Sequence, residues 1–225
     1  MTTLLTKKWR KYWSDKSSPL YGRDNDDFYA RYGDELRVIL RQAGDYRSVL
    51  ELGCGSGDLF QPLGFDACDY TGVDFSQNML EAFRAREPGA RLLESNAADF
   101  QVDRQFDVIF SSGLVQYFDL DTFERHLAIC RGMMSRSSVV VHAGLLWSRH
   151  KWLFRSGWGP GRPPERRNRI KRALRPWYSM YKGQIGKWYS PQIVASIAQR
   201  QGFQCQFFGS IHFIYRFHVL LRLCD

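Results

Sequence analysis

No apolar run in this chain of 225 residues approaches the roughly 20 residues needed to cross a bilayer. The stretch from Met1 to Lys16 alternates apolar with basic residues, so a signal-peptide core is missing as well. Cysteine is scarce. The five present, at 54, 68, 130, 205 and 224, are odd in number and scattered, and none forms a Cys-x-x-Cys pair. That excludes an evident disulfide framework or zinc site and makes a reducing cytoplasm the simplest compartment. There is no internal repeat. Gly-x-Gly-x-x-Gly and Gly-Lys-Ser/Thr are both absent, which removes the two common phosphate-binding turns. Acids are missing from one segment: from Trp147 to Tyr189 twelve Lys or Arg face a single Glu165. The net charge of +9 therefore resides there, and the remainder of the chain is near −2.

What is present is organised around Ser48-Val-Leu-Glu-Leu-Gly-Cys-Gly-Ser-Gly-Asp58. A short apolar run breaks into glycines at 53, 55 and 57 before a periodic segment begins, the pattern of a strand, a turn and a helix. Glycines at this spacing turn the chain sharply and leave no Cβ between the backbone and a ligand lying across it. The acidic Glu51 at the strand end would repel a pyrophosphate and could hold an ammonium. Tyr70 to Asp74 reads as a second strand ending in an acid, the usual place for a group that accepts from ribose hydroxyls. A ligand with a ribose and an amino group, and no essential phosphate, fits both.

With Gly72-Val-Asp-Phe-Ser-Gln-Asn-Met-Leu80, Asn96-Ala-Ala-Asp-Phe100 and Phe106-Asp-Val-Ile-Phe-Ser111 following in order, the chain resembles the class I S-adenosylmethionine-dependent methyltransferases over roughly residues 45 to 145. The resemblance implies a Rossmann-like α/β fold, a doubly wound, seven-stranded, mostly parallel sheet. It implies S-adenosylmethionine as cofactor, held by Glu51, Gly53, Cys54, Gly55, Gly57, Asp74, Phe75, Met79, Asn96, Ala97 and Ser111. At 96 the family often has an acid that accepts from the adenine amino group; Asn can still accept through its amide oxygen. A single domain is expected: an N-terminal helical lid (1–46), the cofactor-binding core (47–146), a basic and aromatic insertion (147–189), and a C-terminal helix with an antiparallel strand pair (190–225).

Along the chain, the spacing predicts a helix over Asp26 to Ala43 closed by Gly44, and another N-capped by Ser76 and ended by Pro88-Gly89. Strands are expected at Arg91–Glu94, Phe106–Ser111 and Ser137–Leu146, the last interrupted by His142. The helix from Asp121 places Phe123, Leu127, Cys130 and Met134 on one face, with His126 and His150 at the surface. Ser190-Pro191 opens a helix with Ile193, Val194 and Ile197 inward, and Gln204–Phe208 and Phe213–Leu223 close the sheet.

Methyl transfer is an in-line displacement, so the protein mainly aligns acceptor and methyl and, for a hydroxyl, removes a proton. No acidic cluster suggests a metal. His142 is the expected base, with Tyr21 and Tyr117 on the acceptor. Aromatics interleave the basic insertion, which suits nucleic acid, an acidic small substrate or an anionic membrane surface. The strand-four end lacks the Asn/Asp/Ser-Pro-Pro-aromatic run of nucleic-acid amino-methylating enzymes. The preferred expectation is therefore transfer to a hydroxyl or amine of a small molecule or saccharide. RNA methylation, or binding without catalysis, are the alternatives. The oligomeric state is not encoded in any of these features.

Overall fold

Four consecutive buried residues make β1 (Val49–Leu52), and a strand buried on both faces lies inside a sheet with layers on each side. The computed structural model describes residues 26–155 and 186–224. The expectations for Tyr21, for residues 1–25 and for most of the basic insertion lie outside the described residues. β1 pairs in parallel with β2 (Tyr70–Asp74) and, on its other edge, with β4 (Phe106–Ser112). β2 pairs in parallel with β3 (Arg91–Glu94), and β4 with β5 (Met134–Trp147). β8 (Arg216–Leu223) runs antiparallel to β5, and β7 (Phe203–Gly209) antiparallel to β8. The order β3-β2-β1-β4-β5-β8-β7 is the expected seven-stranded, mostly parallel sheet. A two-residue β6 (Trp188–Tyr189) adds an eighth strand on β5 at Leu146 and Trp147, past the last residue that β4 pairs.

Alternation along the strands sends successive side chains to two cores. Leu50, Leu52, Ile109 and Val140 face α4 (Leu120–Gly132) and α6 (Pro191–Arg200), burying Phe123, Leu127, Val194 and Ile197. Val49, Val108, Phe110 and Val141 face α1 (Asp26–Leu40), α2 (Phe60–Leu63) and α3 (Gln77–Arg86), burying Leu36, Phe60, Leu80 and Phe83. α1 runs into a 3-10 turn, Arg41–Ala43, that ends at Gly44. A fifth strand followed by a 3-10 turn leads into the short α5 (Lys151–Arg155).

Of the two caps expected from the sequence, Ser190 forms its bond and Ser76 does not, while Asp119 caps the helix expected to start at Asp121. Asp119 Oδ1 accepts the Thr122 N–H at 2.8 Å, opening α4, and Ser190 Oγ accepts the Ile193 N–H at 3.2 Å with Pro191 in the first turn of α6. Ser76 stands at the start of α3 in extended backbone, but its hydroxyl forms no capping bond. Three placements are corrected. Met134 opens β5 instead of closing the α4 face. Ile193 is 44% exposed and Ala198 is buried in α6. His126 is 1% exposed, because the α4 stripe turned toward the sheet includes it with Phe123 and Cys130. β5 runs unbroken through His142. Its register against β8 shifts only afterwards, between His142 and Leu145, where Gly144 takes φ 72°.

Two glycines test the packing of this frame. A Cβ on Gly57 would lie 2.5 Å from the Phe83 ring, whereas one on Gly64, at nearly the same φ, would meet nothing within 4 Å. Gly64→Ala should lose about 1–2 kcal/mol, the left-handed strain alone. Gly57→Ala should lose that plus about 1–3 kcal/mol of overpacking. Urea unfolding that shows equal losses would refute the close approach of α3 to the glycine turn.

Candidate functional site

Gly53, Gly55 and Gly57 adopt φ of 77°, 54° and 75° after β1, a region where a Cβ costs about 1–2 kcal/mol. The N–H groups of Gly53 and Cys54 both donate to the Val73 carbonyl, at 2.7 and 3.1 Å, which fastens the turn onto the end of β2. The three glycines serve different ends. Gly57 makes room for Phe83, and Gly53 for Leu114, whose Cδ1 would lie 3.2 Å from an added Cβ. At Gly55 a Cβ would meet no protein atom within 4 Å, so its backbone is bare on the cavity side.

Asp74 completes this corner. Its Oδ2 accepts the Gly55 N–H at 3.0 Å and its Oδ1 the Ser76 N–H at 2.9 Å. Burial raises its pKa, and the backbone donors offset that only in part. Glu51 lies deeper, 3% exposed, and takes the Tyr70 hydroxyl on Oε2 at 2.6 Å. Burial pushes its carboxyl up to about 8. The Tyr70 bond works against that rise, and the charges of Asp58 and Asp74 add to it. Glu51 is therefore largely protonated at neutral pH.

The cavity is lined by Glu51, Gly53, Cys54, Gly55, Asp74, Phe75, Met79 and Tyr117 from the expected set. Five expected residues are placed elsewhere: Gly57, which gives its space to Phe83, and four others. Ser111 and His142 are register partners on β4 and β5, and both point to the α4 face, where Ser111 Oγ and His142 Nδ1 are 2.8 Å apart. Ser112, one residue on, turns to the cavity instead. Asn96 is spent locally: its Oδ1 accepts the Ala98 N–H at 3.2 Å and its Nδ2 donates to Asp99 Oδ2 at 2.7 Å. Ala97 is buried in the α4-side core. Neither Asn96 nor His142 is among the residues that line the cavity.

His142 is fully buried, and burial, aided by the nearby His126, holds its pKa well below the usual histidine range. It cannot exchange a proton with an acceptor in the cavity from there. With His126 and Cys130 it forms a group whose ligating atoms lie within 4.8 Å of one another, and His126 Nδ1 and His142 Nε2 have no hydrogen-bond partner. The sequence spacing hid this group because α4 and β5 supply its members separately.

Other lining residues were not singled out as site residues. Tyr32 of α1 places its hydroxyl 3.4 Å from Ser112 Oγ. Phe28 stacks on Tyr32 with centroids 5.9 Å apart, and Phe213 meets both rings edge-on at 5.3 and 5.5 Å. The apolar periodicity of α1 contained that signal. Arg216, at the start of β8, carried none. Behind them, Gly144 N–H donates to His218 Nδ1 at 3.3 Å, so His218 Nε2 carries the proton and donates to Glu35 Oε1 at 2.9 Å. Glu35 also accepts the N–H groups of Ile211 and His212. Burial works to raise its pKa, but the hydrogen bonds from His218 and from the Ile211 N–H bring it below the ordinary value. α1 is thereby tied to the turn between β7 and β8.

Residues 49–136 match the protein family described as a methyltransferase domain. Among curated proteins, the chain is 33% identical over 107 residues to trans-aconitate 2-methyltransferase of Rhizobium etli, covering 43% of this chain and 42% of that one. It is 27% identical over 85 residues to dTDP-3-amino-3,4,6-trideoxy-alpha-D-glucopyranose N,N-dimethyltransferase of Streptomyces venezuelae, covering 38% and 36%. The chain thus spans less than half the length of the curated relatives it matches. Among solved structures, the sugar N-methyltransferase KedS8 from Streptoalloteichus has a TM-score of 0.66 at 15% identity, covering 100% of this chain and 94% of that one. The DhpI-SAH complex has a TM-score of 0.65 at 17% identity, covering 98% of each. At these identities the structures establish a common fold.

The raised pKa of Glu51 can be measured directly. A carboxyl-selective NMR titration should place it near 8, against about 4.3 for an unperturbed Glu. Because the Tyr70 hydroxyl favours the ionised form, Tyr70→Phe should move it higher still. A wild-type value near 4 would show that the carboxyl is solvated and the cavity floor misplaced.

Proposed function

We propose that this chain, whose residues 49–136 match a methyltransferase domain, is a class I S-adenosylmethionine-dependent methyltransferase that acts on a hydroxyl or amine of a small molecule or saccharide. The observation that carries the reading is the corner formed by Asp74 and the bare Gly55 backbone. A carboxylate offers about four acceptor sites. The backbone N–H groups of Gly55, Ser76 and Phe75 use part of these, and a ribose hydroxyl would take what remains.

The rest of the cavity fits the same cofactor. Glu51 would hold the methionyl ammonium, Gly53 and Gly55 would let the chain pass close to the backbone, and Phe75 and Met79 would flank the adenine. S-adenosylmethionine supplies, when bound, a methyl on a sulfonium that leaves without acid assistance. That methyl would be available to an acceptor lone pair, with the carbon–sulfur electrons left on sulfur, and a hydroxyl or amine acceptor would pass its proton to solvent water. The contribution of the protein is alignment and exclusion of water, for which the aromatic wall of Phe28, Tyr32 and Phe213 is suited. The relatives support a small acceptor, since their names specify an organic acid and an amino sugar.

The RNA reading rests on cations most of which lie outside the described residues, and no observation favours it. Among the described residues, no helix is long and apolar enough to cross a membrane.

Calorimetry with S-adenosylmethionine and its demethylated product tests this reading. Asp74→Asn should weaken binding by about 1.5–3 kcal/mol, the loss of hydrogen bonds to a charged acceptor; unchanged affinity in a folded variant would remove Asp74 from the site. The pH dependence has a definite sign. Glu51 is mostly protonated below about 8 when the site is empty, and it must ionise to meet the ammonium. Binding at pH 7 should therefore release close to one proton, and affinity should fall by up to about tenfold per unit as pH drops from 8 toward 6. Glu51→Gln should abolish the slope.

A further inference from the structure

We propose that Arg216 forms an anion-binding subsite at the β5–β8 end of the cavity, and that the methyl acceptor carries a carboxylate or phosphate group gripped there. This rests on the cavity being the methyl-transfer site.

The charges lining the cavity are separated by strand. Glu51, Asp58 and Asp74 belong to the β1–β2 end, which suits ribose hydroxyls and an ammonium. Arg216 is the one cation among the described lining residues. Three strands, β1, β4 and β5, stand between β2 and β8 in the sheet, about 19 Å at the usual spacing of neighbouring strands. A cofactor anchored at Asp74 therefore leaves the Arg216 end for the acceptor.

Arg216 is arranged for a ligand. Its Nη1 donates to the Gly144 carbonyl at 2.5 Å, and its guanidinium carbon lies 5.2 Å from the Phe213 ring centroid and 5.8 Å from that of Tyr215. These contacts fix the plane of the fork. The positive φ at Gly144 and the absence of a side chain there are part of the arrangement: a Cβ would come within 3.3 Å of Nη1 and 3.1 Å of the Tyr32 hydroxyl. Yet no carboxylate among the described residues pairs with the guanidinium, and Nε is buried without a hydrogen-bond partner. Glu35 of α1 is committed to His218, Ile211 and His212. A part-buried cation with one carbonyl and two ring faces is under-compensated. A planar anion meeting the remaining edge of the fork would complete it, the pairing for which guanidinium geometry is suited. A cationic amino-sugar acceptor would instead meet repulsion.

The test uses the protein saturated with S-adenosylhomocysteine, titrated calorimetrically with citrate, succinate and inorganic phosphate, and with glucose and glucosamine for comparison. Saturable binding of at least one anion, with none by the neutral or cationic sugar, is expected. Arg216→Gln should weaken anion binding at least about tenfold, and Arg216→Lys by less, with affinity for S-adenosylhomocysteine unchanged in both. Absence of anion binding to the wild type, or equal binding by Arg216→Gln, would overturn the proposal. A parallel loss of S-adenosylhomocysteine affinity in Arg216→Gln would overturn it too, because the guanidinium would then hold the cofactor's own carboxylate. Failure of the wild type to bind S-adenosylhomocysteine would count against the methyl-transfer reading first, and is a separate result.

Discussion

The hydrogen bond from the Gly55 amide to the Asp74 carboxylate joins the glycine turn after β1 to the end of β2. It requires left-handed backbone at Gly55 and a neighbouring strand that terminates in an acid. Val73, one residue earlier, supplies the carbonyl that holds Gly53 and Cys54. Parallel pairing of β1 with β2 brings these groups level, and α3 then starts beneath them with Phe83 filling the space that Gly57 leaves open. A carboxylate with free acceptor sites next to bare backbone results, and ligands in open α/β sheets gather at such strand ends.

Charge divides the cavity as the strands do. At its acid-rich end, burial raises the Glu51 carboxyl to about 8, so that it is largely protonated at neutral pH. The other end carries the Arg216 guanidinium. Aromatic rings from α1 and from the turn before β8 lie between solvent and this region. Their position depends on Glu35, which binds α1 to that turn through His218 and two backbone amides.

Local chemistry made the glycine turn and the acid at the end of β2 legible in the sequence, since each depends on residues within a few positions of one another, whereas the sheet was expected from the family resemblance. What was misread turned on one-residue parity or on distant contact. Ser111 and His142 were assigned to the site although the cavity receives Ser112, because the side of a strand that meets the ligand cannot be read from an all-apolar run. Asn96 looked available until its amide closed the turn onto Ala98 and Asp99. His126 read as a surface residue because a lone polar residue on a helix gives no sign of facing the sheet. Arg216 acquires its meaning only from Gly144, 72 residues away.

The central claim is that the corner of Gly55 and Asp74 is the cofactor site. Backbone amide shifts followed during titration with S-adenosylhomocysteine address it most directly. The account predicts saturable binding with the largest shifts at Gly53, Gly55, Asp74 and Phe75, and little change in the amides around His126. Absence of saturable binding, or shifts concentrated away from the glycine turn, would contradict it.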